Sequence, residues 1–242
     1  MEFSSHDPWA ALALGTDGLS AKYCELNRFG GYLRQPINSL SNAAFALAGV
    51  AVLADRRVGR LSVSLRRLFA ASLFALAAGS GFFHASITLV AQRLDMGATY
   101  AVVLALIGFS FAIERPVEEH ARWLAGIVVV DLVFVGLDLY RFGAWLLPLL
   151  LLLCLGAALR VLSRARPSAR HLVLAGLGIL TGATAWGLDE RKVLCAPESV
   201  LQWHALWHCA TAFGALHLFW FFDRSSARGG SVAATSTPEA TP

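Results

Sequence analysis

Seven stretches of this chain are long and apolar enough to cross a lipid bilayer, and no other feature narrows the fold as much. A helix that spans hydrocarbon needs about 20 mostly apolar residues. The runs fall at 37–54, 66–86, 97–114, 121–139, 143–162, 170–188 and 202–222. Composition agrees, with 57% apolar and 15% charged residues, where a soluble domain carries roughly 25% charged. The expected class is an all-α, integral membrane seven-transmembrane-helix bundle. Residues 1–36 form a segment ahead of it, 37–222 the bundle, and 223–242 a tail. From 225 on the tail is rich in Ser, Ala, Thr, Gly and Pro and is expected to be disordered.

Basic residues set the orientation. Of the 20 Lys and Arg, 13 fall on one side, including Arg56, Arg57, Arg60, Arg66, Arg67 and Arg224, and seven on the other. The C-terminus is therefore expected in the cytoplasm and the N-terminus outside. The first 20 residues lack a basic stretch followed by a long apolar run, so the first span is expected to serve as the insertion signal. A formal charge of +4 does not imply nucleic acid here, because the Arg residues sit between apolar runs, where topology accounts for them.

Ionisable groups inside a span are expensive, so each is a functional hypothesis. Three clusters lie towards the outer face. In the first, Ser80 and His84 share a helix face, with Gln92 and Asp95 following. In the second, His204 and His208 are spaced i, i+4, as paired metal ligands on a helix require. The third comprises Trp186, Asp189 and Cys195. Blander readings stand beside these: a serine bonded to its own helix with an interfacial histidine, helix packing for the histidine pair, and a helix-end role for Asp189. Cys24 and Cys195 both fall in outer segments, where disulfides persist, and are expected to pair. Cys154 and Cys209 fall within spans and read as small apolar fillers. His217 reads as packing or a hydrogen bond. Glu114, Glu118, Glu119 and His120 read as a solvated turn, and Asp131 as a buried residue without an assigned partner. Asn38 and Asn42 read as interhelical hydrogen bonding or as support for the metal site.

Together, His84, His204 and His208 make three imidazoles at similar depth on two helices. Three such ligands with one open position are the pattern of a catalytic zinc, which acidifies water and polarises carbonyls. Asp95 could take a proton or orient a ligand histidine, and Ser80 could stabilise an oxyanion. This chemistry suits hydrolysis of a lipid ester or amide.

The chain resembles the alkaline ceramidase family, within a wider group of seven-helix membrane hydrolases that includes the adiponectin receptors. The resembling residues are Cys24-Glu25 with Asn27, Asn38-Ser39-Leu40-Ser41-Asn42, Gly79-Ser80 through His84, Gln92, Asp95, Trp186, Asp189, Cys195, His204 and Trp207-His208. The resemblance implies zinc on His84, His204 and His208, with Ser80 and Asp95 in the catalytic centre. It also implies a Cys24–Cys195 disulfide and cleavage of ceramide or a related long-chain amide to a sphingoid base and a fatty acid. The lipid substrate would enter sideways from the bilayer. Two departures stand out. Eukaryotic members follow the Asp with Glu-Leu-Pro-Met, whereas Asp95 precedes Met96-Gly97-Ala98-Thr99, so head-group selection is expected to differ. The family also has a calcium site, of which Glu25 and Asn27 are retained while Lys22 and Gln35 replace carboxylates. Calcium prefers several anionic or carbonyl oxygens, so none, or weak binding, is expected.

Many Arg and Ala and few Lys fit a GC-rich bacterial genome, which would place the chain in the inner membrane with its site facing the periplasm. A receptor with a structural zinc on the same scaffold is the alternative. A transporter fits less well, since no inverted repeat or broken mid-membrane helix is evident.

Overall fold

The computed structural model describes residues 7–15, 22–57, 59–136, 143–166 and 169–227. Its helices are α1 Pro36–Ser41, α2 Ala43–Ala54, α3 Val63–Ser86, α4 Leu89–Ala112, α5 His120–Gly136, α6 Gly143–Arg164, α7 Ala169–Glu190 and α8 Trp203–Asp223. The first expected span is α1 and α2 in succession, meeting at Asn42. Among the described residues, six spans are long and apolar enough to cross a membrane. The seventh, α5, is described over 17 residues, and the rest of its expected range, to 139, lies outside the described residues. The other regular structure described is a 3₁₀ turn at Val117–Glu119, a two-residue antiparallel pairing of Ala165–Arg166 with Ser226–Ala227, and an isolated antiparallel bridge between Leu14 and Thr88. The class is all-α. Most of the expected tail lies outside the described residues.

One boundary differs in a way that matters. The third span was expected from 97, because Gln92, Arg93 and Asp95 interrupt the apolar run. The helix instead begins at Leu89, and those polar residues occupy its first two turns, with Gln92 buried. The sharp turn from α3 into α4 is made by Ile87 in the left-handed region, at φ 48°. That conformation is unusual for a β-branched residue, and here the side chain is fully buried.

A hydrophobic core joins α3, α4 and α8. Phe69 and Phe219 stack at 5.2 Å, and Phe109 meets Phe69 edge-on at 5.6 Å. Close approach of α7 and α8 depends on glycine: a Cβ on Gly178 would lie 2.8 Å from the Ala210 carbonyl oxygen and 2.9 Å from the Gly214 Cα. Small residues at such contacts are how membrane helices gain packing.

Polar residues tie the bundle end that carries Arg66 and Asp223. Asp223 pairs with Arg66, and Asp55 with Arg224 at 2.6 Å. The turn expected to be solvated is only partly so. His120 is buried, accepts from the Ser62 N–H at Nδ1 and holds the Ala112 carbonyl through Nε2. It thereby joins the starts of α3 and α5 to the end of α4. Glu114 pairs with Arg160. The Asp131 Oδ1 meets no hydrogen-bond partner among the described residues. His217 is hydrogen-bonded to His171, Nδ1 to Nδ1, at 3.0 Å.

Candidate metal centre

At the opposite end, α3 finishes and α8 begins. Helix ends leave backbone groups unpaired, and residues 34–35 satisfy those of α3. The carbonyls of His84 and Ala85 accept from the Gln35 and Arg34 N–H groups at 3.0 and 2.9 Å. The Ser86 carbonyl accepts from the Arg34 guanidinium at 2.6 Å. Arg34 is itself paired with Asp7 at 2.7 Å, both side chains fully buried. This segment therefore fixes the last turn of α3, which carries His84.

His204 lies in the first turn of α8 and His208 one turn further. The three rings converge, with centroids 4.8 Å apart for His84–His204, 5.1 Å for His84–His208 and 4.6 Å for His204–His208. All three are buried, and one ligand atom from each lies within 4.8 Å of the others. No fourth His, Cys, Asp or Glu joins the group among the described residues.

Their outward contacts test whether a metal fits. Nδ1 of His84 meets Gln35 Oε1 at 2.7 Å, and Nδ1 of His208 meets Ser41 Oγ at 2.7 Å. Nδ1 of His204 stands 3.9 Å from Asp189 Oδ2. The Ser41 hydroxyl also contacts the Asn38 carbonyl at 2.8 Å. A carbonyl only accepts, so the Ser41 proton goes there and the hydroxyl accepts from His208 Nδ1–H. Nδ1 of His84 and Nδ1 of His208 are thus engaged by oxygens, which leaves their Nε2 atoms for the common centre, while Nδ1 of His204 has no hydrogen-bond partner among the described residues. Metal-binding histidines hold their second nitrogen in this way, and the donor set of three imidazoles suits zinc.

Tyr23 packs edge-on against two of these rings, 5.0 Å from His84 and 4.5 Å from His204. Its neighbour Cys24 is disulfide-bonded to Cys195, with Cα atoms 5.6 Å apart, and the Cys24 N–H reaches Asp189 Oδ1 at 3.2 Å. Cys154 and Cys209 are free.

Ser80 is buried one turn before His84 on the same helix. Gly79 beside it lies against α4: a Cβ there would lie 3.0 Å from the Leu94 carbonyl carbon and oxygen and 3.1 Å from the Asp95 nitrogen. This contact brings the Asp95 backbone against the turn that bears Ser80. Gln92 points towards the N-terminal segment, where a Cβ on Gly15 would meet its Oε1 at 2.9 Å. Trp186 packs against Trp207 at 6.4 Å.

The retained calcium-site candidates have other contacts. The Glu25 carboxylate accepts the Ile37 and Asn38 N–H groups, both at 2.8 Å, at the start of α1. Pro36, in the first turn, has no N–H to give. Burial raises the Glu25 carboxyl above its ordinary value, and these two N–H groups pull it back. Asn27 Oδ1 accepts from Gln35 Nε2 at 2.7 Å.

The residues that sequence reasoning missed are Tyr23 and Ser41, together with Gln35 in its contact with His84. A signal for Ser41 existed, as it lies in the polar stretch opening the first span.

Fold and site together define a polytopic helical membrane protein with a buried three-histidine centre at one end. A family model described as Ceramidase matches residues 20–230, and the chain belongs to the ceramidase family. No curated protein matches it.

Proposed function

We propose that this protein is a zinc-dependent intramembrane hydrolase. Its substrate is ceramide or a related long-chain lipid amide, cleaved to a sphingoid base and a fatty acid. The observation that carries this reading is the convergence of His84, His204 and His208 in a chain of the ceramidase family. When bound, zinc supplies a Lewis acid that acidifies water and polarises a carbonyl.

The chain's own residues supply the remainder. Gln35 and Ser41 orient the imidazoles of His84 and His208, and the Asp189 carboxylate stands 3.9 Å from the His204 imidazole. The Ser80 hydroxyl donates to the carbonyl oxygen as it gains negative charge. Asp95 takes a proton from the attacking water and delivers it to the departing nitrogen. One C–O bond forms, the C–N bond breaks, and the nitrogen leaves as a neutral amine. The absence of a fourth protein ligand of these types among the described residues favours chemistry over a structural zinc, which four protein ligands usually close. Substrate enters from the bilayer, and the site faces the side opposite the arginine-rich end, the periplasmic side in a bacterium.

The test is elemental analysis of the detergent-purified protein and of His204→Ala, with release of fatty acid from a fluorescent ceramide. About one zinc per wild-type chain, lost together with turnover in the variant, is expected. A well-folded wild type without zinc overturns the proposal. Zinc without hydrolysis of any long-chain amide removes the amidase reading and leaves the metal site.

A further inference from the structure

Gln35 lies in the segment that folds back over the end of α3, and its contacts go beyond a single link to His84. The side chain is buried and both ends of its amide are hydrogen-bonded. Oε1 meets His84 Nδ1 at 2.7 Å and accepts from Asn38 Nδ2 at 3.2 Å, while Nε2 donates to Asn27 Oδ1 at 2.7 Å. An amide has one accepting end and one donating end. With Nε2 committed to Asn27, the end facing His84 is an acceptor, so the His84 proton must sit on Nδ1. Nε2 then keeps its lone pair for the centre.

The opposite polarity is also self-consistent. If all three amides turned over, Gln35 Nε2 would donate to His84 Nδ1 and to the Asn38 oxygen, which now lacks a partner. His84 would then carry its proton on Nε2, where it blocks a metal. The two arrangements have the same shape and differ only in the direction of the hydrogen bonds. Asn27 lies two bonds from His84 in this network and does not touch the ring; its oxygen accepts from Gln35 in the arrangement that leaves the Gln35 oxygen facing His84.

We infer that Asn27, Gln35 and Asn38 form a polarity-setting network whose direction holds His84 in the tautomer that accepts a metal. Gln35 and Asn27 are positioning residues. The inference rests on the proposed metal centre, but it concerns metal binding and not turnover.

The test is zinc affinity, measured by chelator competition on the full-length, detergent-purified protein with zinc as the only added ligand. Gln35→Met keeps the volume and removes the acceptor, and zinc is expected to bind about 10–100-fold more weakly. Gln35→Glu presents only acceptors to His84, and Asn27 can turn its own amide to donate. Affinity should return to wild type or better. Asn27→Asp can only accept, so it preserves the polarity and should bind as wild type. Asn27→Leu leaves Gln35 free to turn and should bind several-fold more weakly, which keeps the test open if Gln35→Met does not fold. A purely structural role for Gln35 would lower the melting temperature of the metal-free protein and give no rescue by Glu. Wild-type affinity in both Gln35→Met and Asn27→Leu, or no rescue by Glu, overturns the inference and leaves the metal centre standing. Failure of the wild type to bind zinc overturns the proposed function as well.

Discussion

Gly79→Ala probes how Ser80 and Asp95 are brought together. The added Cβ would sit 3.0 Å from the Leu94 carbonyl carbon and oxygen and 3.1 Å from the Asp95 nitrogen. Ordinary contact is about 3.5–4.0 Å. The neighbours are backbone atoms of a packed helix, so α4 must move by a few tenths of an ångström. Overpacking of this kind costs about 1–3 kcal/mol. The better helix propensity of Ala returns roughly 0.5–1 kcal/mol, leaving a net loss of about 0–2.5 kcal/mol, centred a little above 1 kcal/mol. At about 2–4 °C per kcal/mol for a chain of this size, the melting temperature should fall by several degrees. The shift falls on Asp95 itself. A 1 Å misplacement can cost about 100-fold in rate, so a few tenths should cost roughly 3–10-fold. Zinc content should not change, because all three histidines lie on α3 and α8. Gly81→Ala is the control: its Cβ would meet the Ser39 oxygen at 3.6 Å and the Asn42 Cβ at 3.8 Å, so stability and activity should hold. Fluorescent-ceramide turnover and thermal unfolding read both variants. Wild-type behaviour of Gly79→Ala, or equal damage in Gly81→Ala, would refute the reasoning.

Two further expectations follow from ion pairs outside the spans. Arg34→Met removes the partner of the fully buried Asp7 and the donor to the Ser86 carbonyl. Breaking such a pair costs about 3–5 kcal/mol, visible as a large drop in melting temperature, with zinc affinity falling because His84 loses its clamp. An unchanged melting temperature would show that Asp7 and the end of α3 do not depend on this guanidinium. Burial raises the Asp55 carboxyl, but hydrogen bonding and charge attraction from Arg224 outweigh it and hold the group below its ordinary value. The folded value lies below the unfolded one, so the pair's contribution is complete above the unfolded value near 3.9 and is lost as pH falls through the folded value. Asp55→Asn should therefore be less stable than wild type by ~1 kcal/mol at neutral pH, and the gap should close in acid. A gap that widened in acid would contradict the sign.

The spans could be read from the sequence because apolar run length is set by bilayer thickness, a constraint local to each segment. It failed at the start of α4 for the same reason: Gln92, Arg93 and Asp95 lower local hydropathy, while the helix continues because the turn at Ile87 and the contact at Gly79 hold it against α3. The His204–His208 pair was visible in its i, i+4 spacing, and His84 in its depth within a span. Their outward partners were not. Gln35 and Ser41 lie 49 and 167 residues from the histidines they touch, and no periodicity links positions so far apart. Gln35 attracted notice only as a missing calcium ligand, whereas its contact with His84 depends on the chain folding back over α3. His120 was misjudged because its acidic neighbours suggested solvent, while its ring turns inward to the ends of two helices.

These long-range contacts follow from where the histidines sit. His84 occupies the final turn of α3, and His204 the first turn of α8. Terminal turns are the parts of a helix that open most readily, so packing within the bundle does not by itself hold three rings at fixed separation. Residues 23–41 supply what the spans lack. Arg34 and Gln35 satisfy the final carbonyls of α3, Glu25 caps α1, and Ser41 meets His208. The same segment is tied to the connection between α7 and α8. Cys24 bonds to Cys195, its N–H reaches Asp189, and the Leu26 N–H meets the Pro197 carbonyl at 3.0 Å. One stretch of chain, lying largely ahead of the first span, therefore contacts both histidine-bearing helix ends and the Asp189 carboxylate. The spans bring the histidines to a common depth. The contacts that hold the rings within that depth come from a segment most of which precedes the first span, so a change there should reach the three-histidine centre as well as the fold.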